Sequence, residues 1–129
     1  MIHTSYFAKE QHIKNAGMVP IAITAKVPDW YEGLVYDKLA PTIDILMEYK
    51  RTGDRDRYIE RYKAEVLDKL DPYRVWWELK EITGIHYAED KQGICLMCYE
   101  KPDSFCHRHL VAEWLTENRI ECQETYIGG

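Results

Sequence analysis

The segment Gly93-Ile-Cys-Leu-Met-Cys-Tyr99 constrains the fold more than any other stretch, because it is apolar at nearly every position. A strand with one wet face alternates apolar and polar residues. A continuous run belongs instead to a strand covered on both faces, as in the parallel sheets of α/β proteins. The residues after Tyr99 complete the unit. Glu100-Lys-Pro-Asp-Ser104 reads as a turn, with Asp103 a good cap for a helix running to about Asn118. Leu110, Val111, Trp114 and Leu115 set the inward face of that helix, and Ile120, Cys122 and Tyr126 predict an edge strand after it.

The earlier part of the chain supplies the rest of such a domain. Ile2 to Phe7 predicts an opening strand, and Ile21 to Val27 a second one stopped by Pro28. Residues 29–40, with Trp30, Tyr31, Gly33 and Tyr36, read as an aromatic loop. Three helices come next. The first opens at Pro41, shows Ile43, Leu46 and Met47 as its apolar face, and ends at Thr52-Gly53. Asp54 opens the second, with Tyr58, Ile59, Tyr62, Val66 and Leu70 at helical spacing; Asp71-Pro72 opens the third, whose stripe is Val75, Trp76, Leu79 and Ile82, closed by Gly84. The expectation is one α/β domain over residues 1–129, Rossmann-like, with a mainly parallel central sheet flanked by helices.

Charge and cysteine usage narrow the function. Seventeen Lys and Arg against 22 Asp and Glu give a formal charge of −5, which argues against broad, non-specific nucleic-acid binding. No apolar run approaches the about 20 residues of a membrane helix, and Met1 to Glu10 lacks the pattern of a secretory signal, so the expected place is the cytoplasm, away from membranes. Three of the four cysteines, Cys95, Cys98 and Cys106, fall close together. In a reducing compartment such a cluster reads as thiol chemistry or metal binding before it reads as disulfides.

Cys98-Tyr-Glu-Lys-Pro-Asp-Ser-Phe-Cys-His-Arg-His109 gathers nearly every reactive side-chain type. Strand alternation places Cys98 and Glu100 on one face, at the carboxyl end of the strand, where open α/β sheets bind ligands. The helix after the turn presents its first N–H groups and the positive end of its dipole there, which favours an anion. At about 100° per residue, His107 points along the apolar stripe towards the sheet, Cys106 and Arg108 flank it, and His109 faces away. Cys106, at a helix start, is a candidate low-pKa thiol. A zinc site built from Cys95-x2-Cys98 and Cys106-x2-His109 has the residue types of a Cys3His centre. Residues three apart in a regular strand, however, face opposite ways, so no metal and no cofactor is expected. The charges of the Asp54–Leu70 helix, such as Arg61 with Glu65, read as a solvated face with ordinary helix pairs.

Cys98-x-Glu100-Lys101, followed by Cys106-His107-Arg108 and an apolar helix, resembles a bacterial and phage family known as domain-of-unknown-function family 488. Thr4-Ser5-Tyr6 is similar to that family's N-terminal serine-containing strand. Val35-Tyr36-Asp37-Lys38-Leu39-Ala40-Pro41 and the stretch from Tyr49-Lys50 to Gly53-Asp54 resemble its short branch. In the second strand Ile23-Thr-Ala-Lys26 stands where the longer branch carries an acidic residue and an arginine. The resemblance implies a compact α/β domain with cysteine, glutamate, histidine and arginine at one pocket, and no established reaction.

The chemistry of that segment suggests a site for an anionic ligand, phosphorylated or nucleotide-like. Glu100 and His107 are acid–base candidates, and Cys106 or Cys98 a nucleophile. Arg108, Ser5, Tyr6 and Lys26 are candidate ligand contacts, with Trp30, Tyr31 and Tyr36 as further stacking surfaces. Arg108→Ala is expected to weaken binding of a phosphorylated ligand while barely changing the melting temperature. Two other readings use the same residues: a non-catalytic module that sequesters a ligand, and a protein-interaction module whose polar cluster only orients the last helix. A zinc-stabilised module is a further alternative.

Overall fold

The computed structural model of the chain describes residues 2–85, 93–99 and 105–125. Among them, β1 (Ile2–Tyr6), β2 (Val19–Ala22), β3 (Leu34–Val35), β4 (Ile94–Cys98) and β5 (Cys122–Glu124) form one sheet in the order β3-β2-β4-β1-β5. Every pairing is parallel. The apolar run is the middle strand of the five, and each residue of β4 is buried, as its lack of alternation requires. The edge strand expected near Cys122 is β5, hydrogen-bonded to β1. The chain is thus an α/β fold on an all-parallel sheet.

The two faces of the sheet are covered unequally. Ile2, Ile21, Ile23, Ile94 and Leu96 face the larger core. Against them pack α2 (Ile43–Thr52), α3 (Arg55–Glu65), α4 (Pro72–Thr83) and α5 (His107–Glu117), through Ile45, Tyr62, Leu79 and Val111 among others. Ala22, Cys95 and Met97 face a smaller core closed by α1 (Glu10–Asn15), through Ile13, and by Phe7, Met18 and Tyr31. No helix among the described residues is long and apolar enough to cross a membrane.

The helix boundaries follow their local signals. Thr42, Asp54 and Asp71 cap α2, α3 and α4, and Gly53 and Gly84 end α2 and α4 with φ of 68° and 76°, a conformation that glycine adopts without strain. Several details differ from the sequence expectation. β1 ends one residue early, at Tyr6, where a single 3₁₀ turn (Phe7–Lys9) leads into α1, an element without enough apolar periodicity to announce itself. β2 begins at Val19 and holds Pro20 inside it. Val19 and Ile23 donate their N–H groups to Gly93 and Met97 on the β4 side. The nitrogen of Pro20 therefore faces the β3 side, where β3 pairs only with Ile21 and Ala22, and no ladder bond is lost.

The aromatic loop contains β3, and its side chains divide: Tyr31 and Tyr36 are buried and Trp30 is 57% exposed. In α2 the buried face is Ile45 with Leu46 and Tyr49, whereas Ile43 and Met47 are exposed. The expected stripe is corrected because Tyr49 packs edge-on against Tyr58 and Phe105, which turns the helix away from Ile43 and Met47. Ile82, assigned to the stripe of α4, is likewise exposed. α3 stops at Glu65, and Leu67–Lys69 is a 3₁₀ turn, so Leu70 lies beyond the helix.

Candidate functional site

The connections locate the site before any side chain does. From β1 the chain crosses past β4 to reach β2, using α1 on the smaller-core face; from β4 it crosses past β1 to reach β5, using α5 on the other. The two crossovers leave neighbouring strands in opposite directions. The carboxyl ends of β1 and β4 therefore flank a topological switch point, the position at which open α/β sheets bind ligands. Tyr6 and Cys98 are partners in the register at those two ends.

Helix α5 begins at His107, later than the Asp103 start read from sequence; its N-cap is Cys106, extended at φ −154° and ψ 146°. Cys106 is held to the sheet instead of capping its own helix. Its sulfur is bonded to that of Cys98 at 2.11 Å, across a sequence separation of 8. The sequence left this pairing open. Both residues are buried, Cys106 retaining 8% exposure and Cys98 none.

His107 points inward, as its helical phase requires, and is buried. Its Nε2 lies 2.7 Å from the Ile23 carbonyl. A carbonyl only accepts, so Nε2 carries the proton and donates, and Nδ1 is bare. That bare nitrogen sits 3.8 Å from the Cys106 sulfur. The Tyr62 ring packs edge-on against the imidazole at 5.6 Å. Burial holds His107 at about 4, below its ordinary 6.5; Arg108 and His109 push the same way, and the Ile23 carbonyl opposes them. The imidazole is neutral at physiological pH.

Arg108 has no exposed surface. Its Nε and Nη2 donate to the two carboxylate oxygens of Glu124 at 3.0 and 2.9 Å, and its Nη1 lies 3.0 Å from the Cys98 sulfur. Thr4 donates its hydroxyl to the same carboxylate, and the Tyr6 ring stands 6.0 Å from the guanidinium carbon. The expectation that Arg108→Ala leaves the melting temperature unchanged is corrected: a buried, bidentate ion pair cannot lose one member without leaving the other uncompensated.

The remaining candidates lie around this cluster. Ser5 is buried, and its Oγ has no hydrogen-bond partner among the described residues; its register partner is Met97, so it faces the smaller core, away from Cys98. Lys26 is exposed in the chain after β2, and its backbone carbonyl accepts from the Tyr99 hydroxyl at 3.2 Å, which keeps that segment at the carboxyl end of β4. Glu100, Asp103 and Tyr126 lie outside the described residues. His109, expected to face solvent, is half-buried. Two open grooves, one between α2 and α3 lined by Asp44, Glu48, Arg51 and Arg57 and one lined by Val35, Tyr36 and Trp77, lie away from the cysteine pair.

A family model described as the active DUF488-N3 subclade (DUF488-N3a) matches residues 11–119. The chain belongs to this family. The resemblance read from the Cys-x-Glu and Cys-His-Arg motifs is therefore correct, and in this DUF488-N3 chain the cysteine, histidine and arginine of those motifs converge at the sheet's switch point. No curated protein and no solved structure matches the chain.

Glu124 is the site residue that the sequence reading missed. Its signal was present: strand alternation puts Glu124 on the same face as Cys122, and a carboxylate on the inward side of a strand calls for a buried cation. Cys95 and Cys122, by contrast, stand apart from the cluster as free thiols. Burial pushes the Cys95 thiol far above the ordinary range and Cys122 up to about 12, so neither is reactive.

Proposed function

We propose that this DUF488-N3 protein is an enzyme of thiol chemistry acting on an anionic, phosphorylated or nucleotide-like small molecule at the carboxyl ends of β1 and β4. Cys106 is the nucleophile of the reduced protein, and Cys98 is its redox partner. The observation that carries the reading is the placement of the Cys106 sulfur: at the start of a helix, 3.8 Å from the unprotonated Nδ1 of His107 and bonded to Cys98.

In the reduced form the Cys106 thiol faces a neutral base. Burial keeps the imidazole neutral while the disulfide is in place, and reduction then presents the Cys106 thiol to its bare Nδ1. The proton moves to Nδ1 as the sulfur attacks an electrophilic centre, and returns to the leaving group. Arg108 and the start of α5 favour negative charge, Arg108 on the Cys98 sulfur and the helix on the Cys106 sulfur or a bound anion. Arg108 acts here as a positioning residue, since Glu124 already occupies two of its donors.

The test is alkylation of the reduced, folded protein by iodoacetamide, read per cysteine by mass spectrometry. Cys106 is expected to react fastest, His107→Gln to slow it by about tenfold or more, and adenosine 5′-monophosphate to protect it. Equal rates in wild type and His107→Gln, with no protection, would overturn the proposal. That outcome favours the second reading, an interaction module, which the complete burial of Arg108 supports.

A further inference from the structure

Outside the reaction just proposed, the same corner of the fold has a second chemical capacity. The sulfurs of Cys98 and Cys106 and a ring nitrogen of His107 all lie within 4.8 Å of one another, and all three residues are buried. We propose that once the disulfide is reduced these three residues form a zinc(II) site with one coordination position open. The inference needs only the reduced pair, whether or not Cys106 attacks a substrate.

The donor set suits the ion. Two thiolates and an imidazole select a borderline-soft cation such as zinc over calcium or magnesium. The imidazole is already in the ligating tautomer, because Nε2 donates to the Ile23 carbonyl at 2.7 Å and leaves Nδ1 bare on the cysteine side. A ligating histidine normally has such an outer hydrogen bond fixing its ring. The Nη1 of Arg108, 3.0 Å from the Cys98 sulfur, supplies the equivalent contact to a thiolate.

Charge also balances. Arg108 and Glu124 neutralise each other, so two thiolates and one Zn²⁺ add no net charge to the buried cluster. Reduction by an external dithiol delivers two electrons and two protons and yields two thiols; binding zinc then releases those two protons to solvent. A tetrahedral ion with zinc–sulfur bonds of about 2.3 Å sets its sulfurs roughly 3.7 Å apart, so the cysteines separate by a modest side-chain rotation.

This ligand set differs from the Cys3His pattern read in the sequence. Cys95 is buried on the opposite face of the sheet, among Ala22, Met97 and Ile13, and cannot reach the ion. His107 replaces it as the third ligand. With three protein ligands, the fourth position is left for water or an anion, the arrangement of an open zinc centre.

The experiment is titration of the full chain with Co²⁺, a spectroscopic stand-in for zinc, followed by Zn²⁺ competition. It is done without substrate, on anaerobically reduced and on oxidised protein, with circular dichroism confirming the fold. One Co²⁺ per reduced chain is expected, with thiolate-to-cobalt charge-transfer absorption of two-thiolate intensity, and none on the oxidised chain. Cys98→Ser and Cys106→Ser should each halve or abolish that absorption, and His107→Gln should weaken binding by about tenfold or more. Cys95→Ser and Cys122→Ser should leave it unchanged. A folded, reduced wild type without the absorption overturns the inference, as does a signal that follows Cys95 or survives Cys106→Ser intact. Running the iodoacetamide alkylation of Cys106 in chelator, where no metal can shield the thiol, makes failure here and failure of the catalytic reading separate results.

Discussion

Helices α2, α3 and α4 begin in one way and α5 in another. Thr42, Asp54 and Asp71 each accept a hydrogen bond from the backbone N–H of a residue in the first turn, Ile45, Arg57 and Tyr73. Cys106 occupies the same position in α5 and makes no such bond. Its side chain is tied instead to the end of β4. Three helix starts obey local stability rules, and those of α1 and α5, the helices that follow the two strands at the switch point, have no side-chain cap. A departure from local preference at such a place marks function.

The comparison predicts different sensitivities at the two kinds of helix start. The largest effect is expected from Arg108→Ala, at the second helical residue of α5. It leaves the Glu124 carboxylate, only 11% exposed, without its cation, and should lower stability by about 3–5 kcal/mol in urea unfolding. An exposed cation at a capped start, such as Arg57, should change it by less than about 1 kcal/mol when replaced by alanine.

Next in size is a pH effect confined to α5. His107 is held at about 4 in the fold against 6.5 when unfolded, so the unfolded chain binds the extra proton between those values. Its contribution is complete above pH 6.5 and is lost as pH falls towards 4. In chelator, the stability of wild type relative to His107→Gln should drop by roughly 2–3 kcal/mol between pH 7.5 and 4.5. A flat difference would mean that the imidazole is not buried neutral.

The smallest effect separates the caps themselves. Asp54→Ala should destabilise by about 1 kcal/mol. Cys106→Ser, compared with reduced wild type, should be neutral within about 0.5 kcal/mol, since no cap bond is lost and a hydroxyl can form one. A loss as large as that of Asp54→Ala would make Cys106 a structural cap.

These contrasts also explain what the sequence disclosed. Thr42, Asp54, Asp71 and the glycines that end α2 and α4 act within one turn of the chain, so both bounds of α2 and α4 and the start of α3 were readable to within about two residues, whereas α3, with no glycine to stop it, ends at Glu65, short of the Leu70 read for it. The central place of β4 was readable because burial on both faces leaves no polar position in it. Strand order was not readable, because it depends on which crossovers pack where. The buried face of α2 was misread because Tyr49, a polar-tipped aromatic, decided it through contacts with Tyr58 and Phe105. Within the site, the inward turn of His107 followed from helical phase. The commitment of Arg108 to Glu124 depends on a pairing between α5 and β5 that no local pattern encodes.

The most direct test of the account is a disulfide map of aerobically purified protein. Free thiols are blocked under denaturing conditions without reductant, and the protein is digested and sequenced by mass spectrometry, then the procedure is repeated after dithiol treatment. The account predicts a Cys98–Cys106 linked peptide with Cys95 and Cys122 blocked as free thiols, and four blocked cysteines after reduction. Cys98 and Cys106 both blocked before any reductant, or a link that involves Cys95 or Cys122, would contradict it.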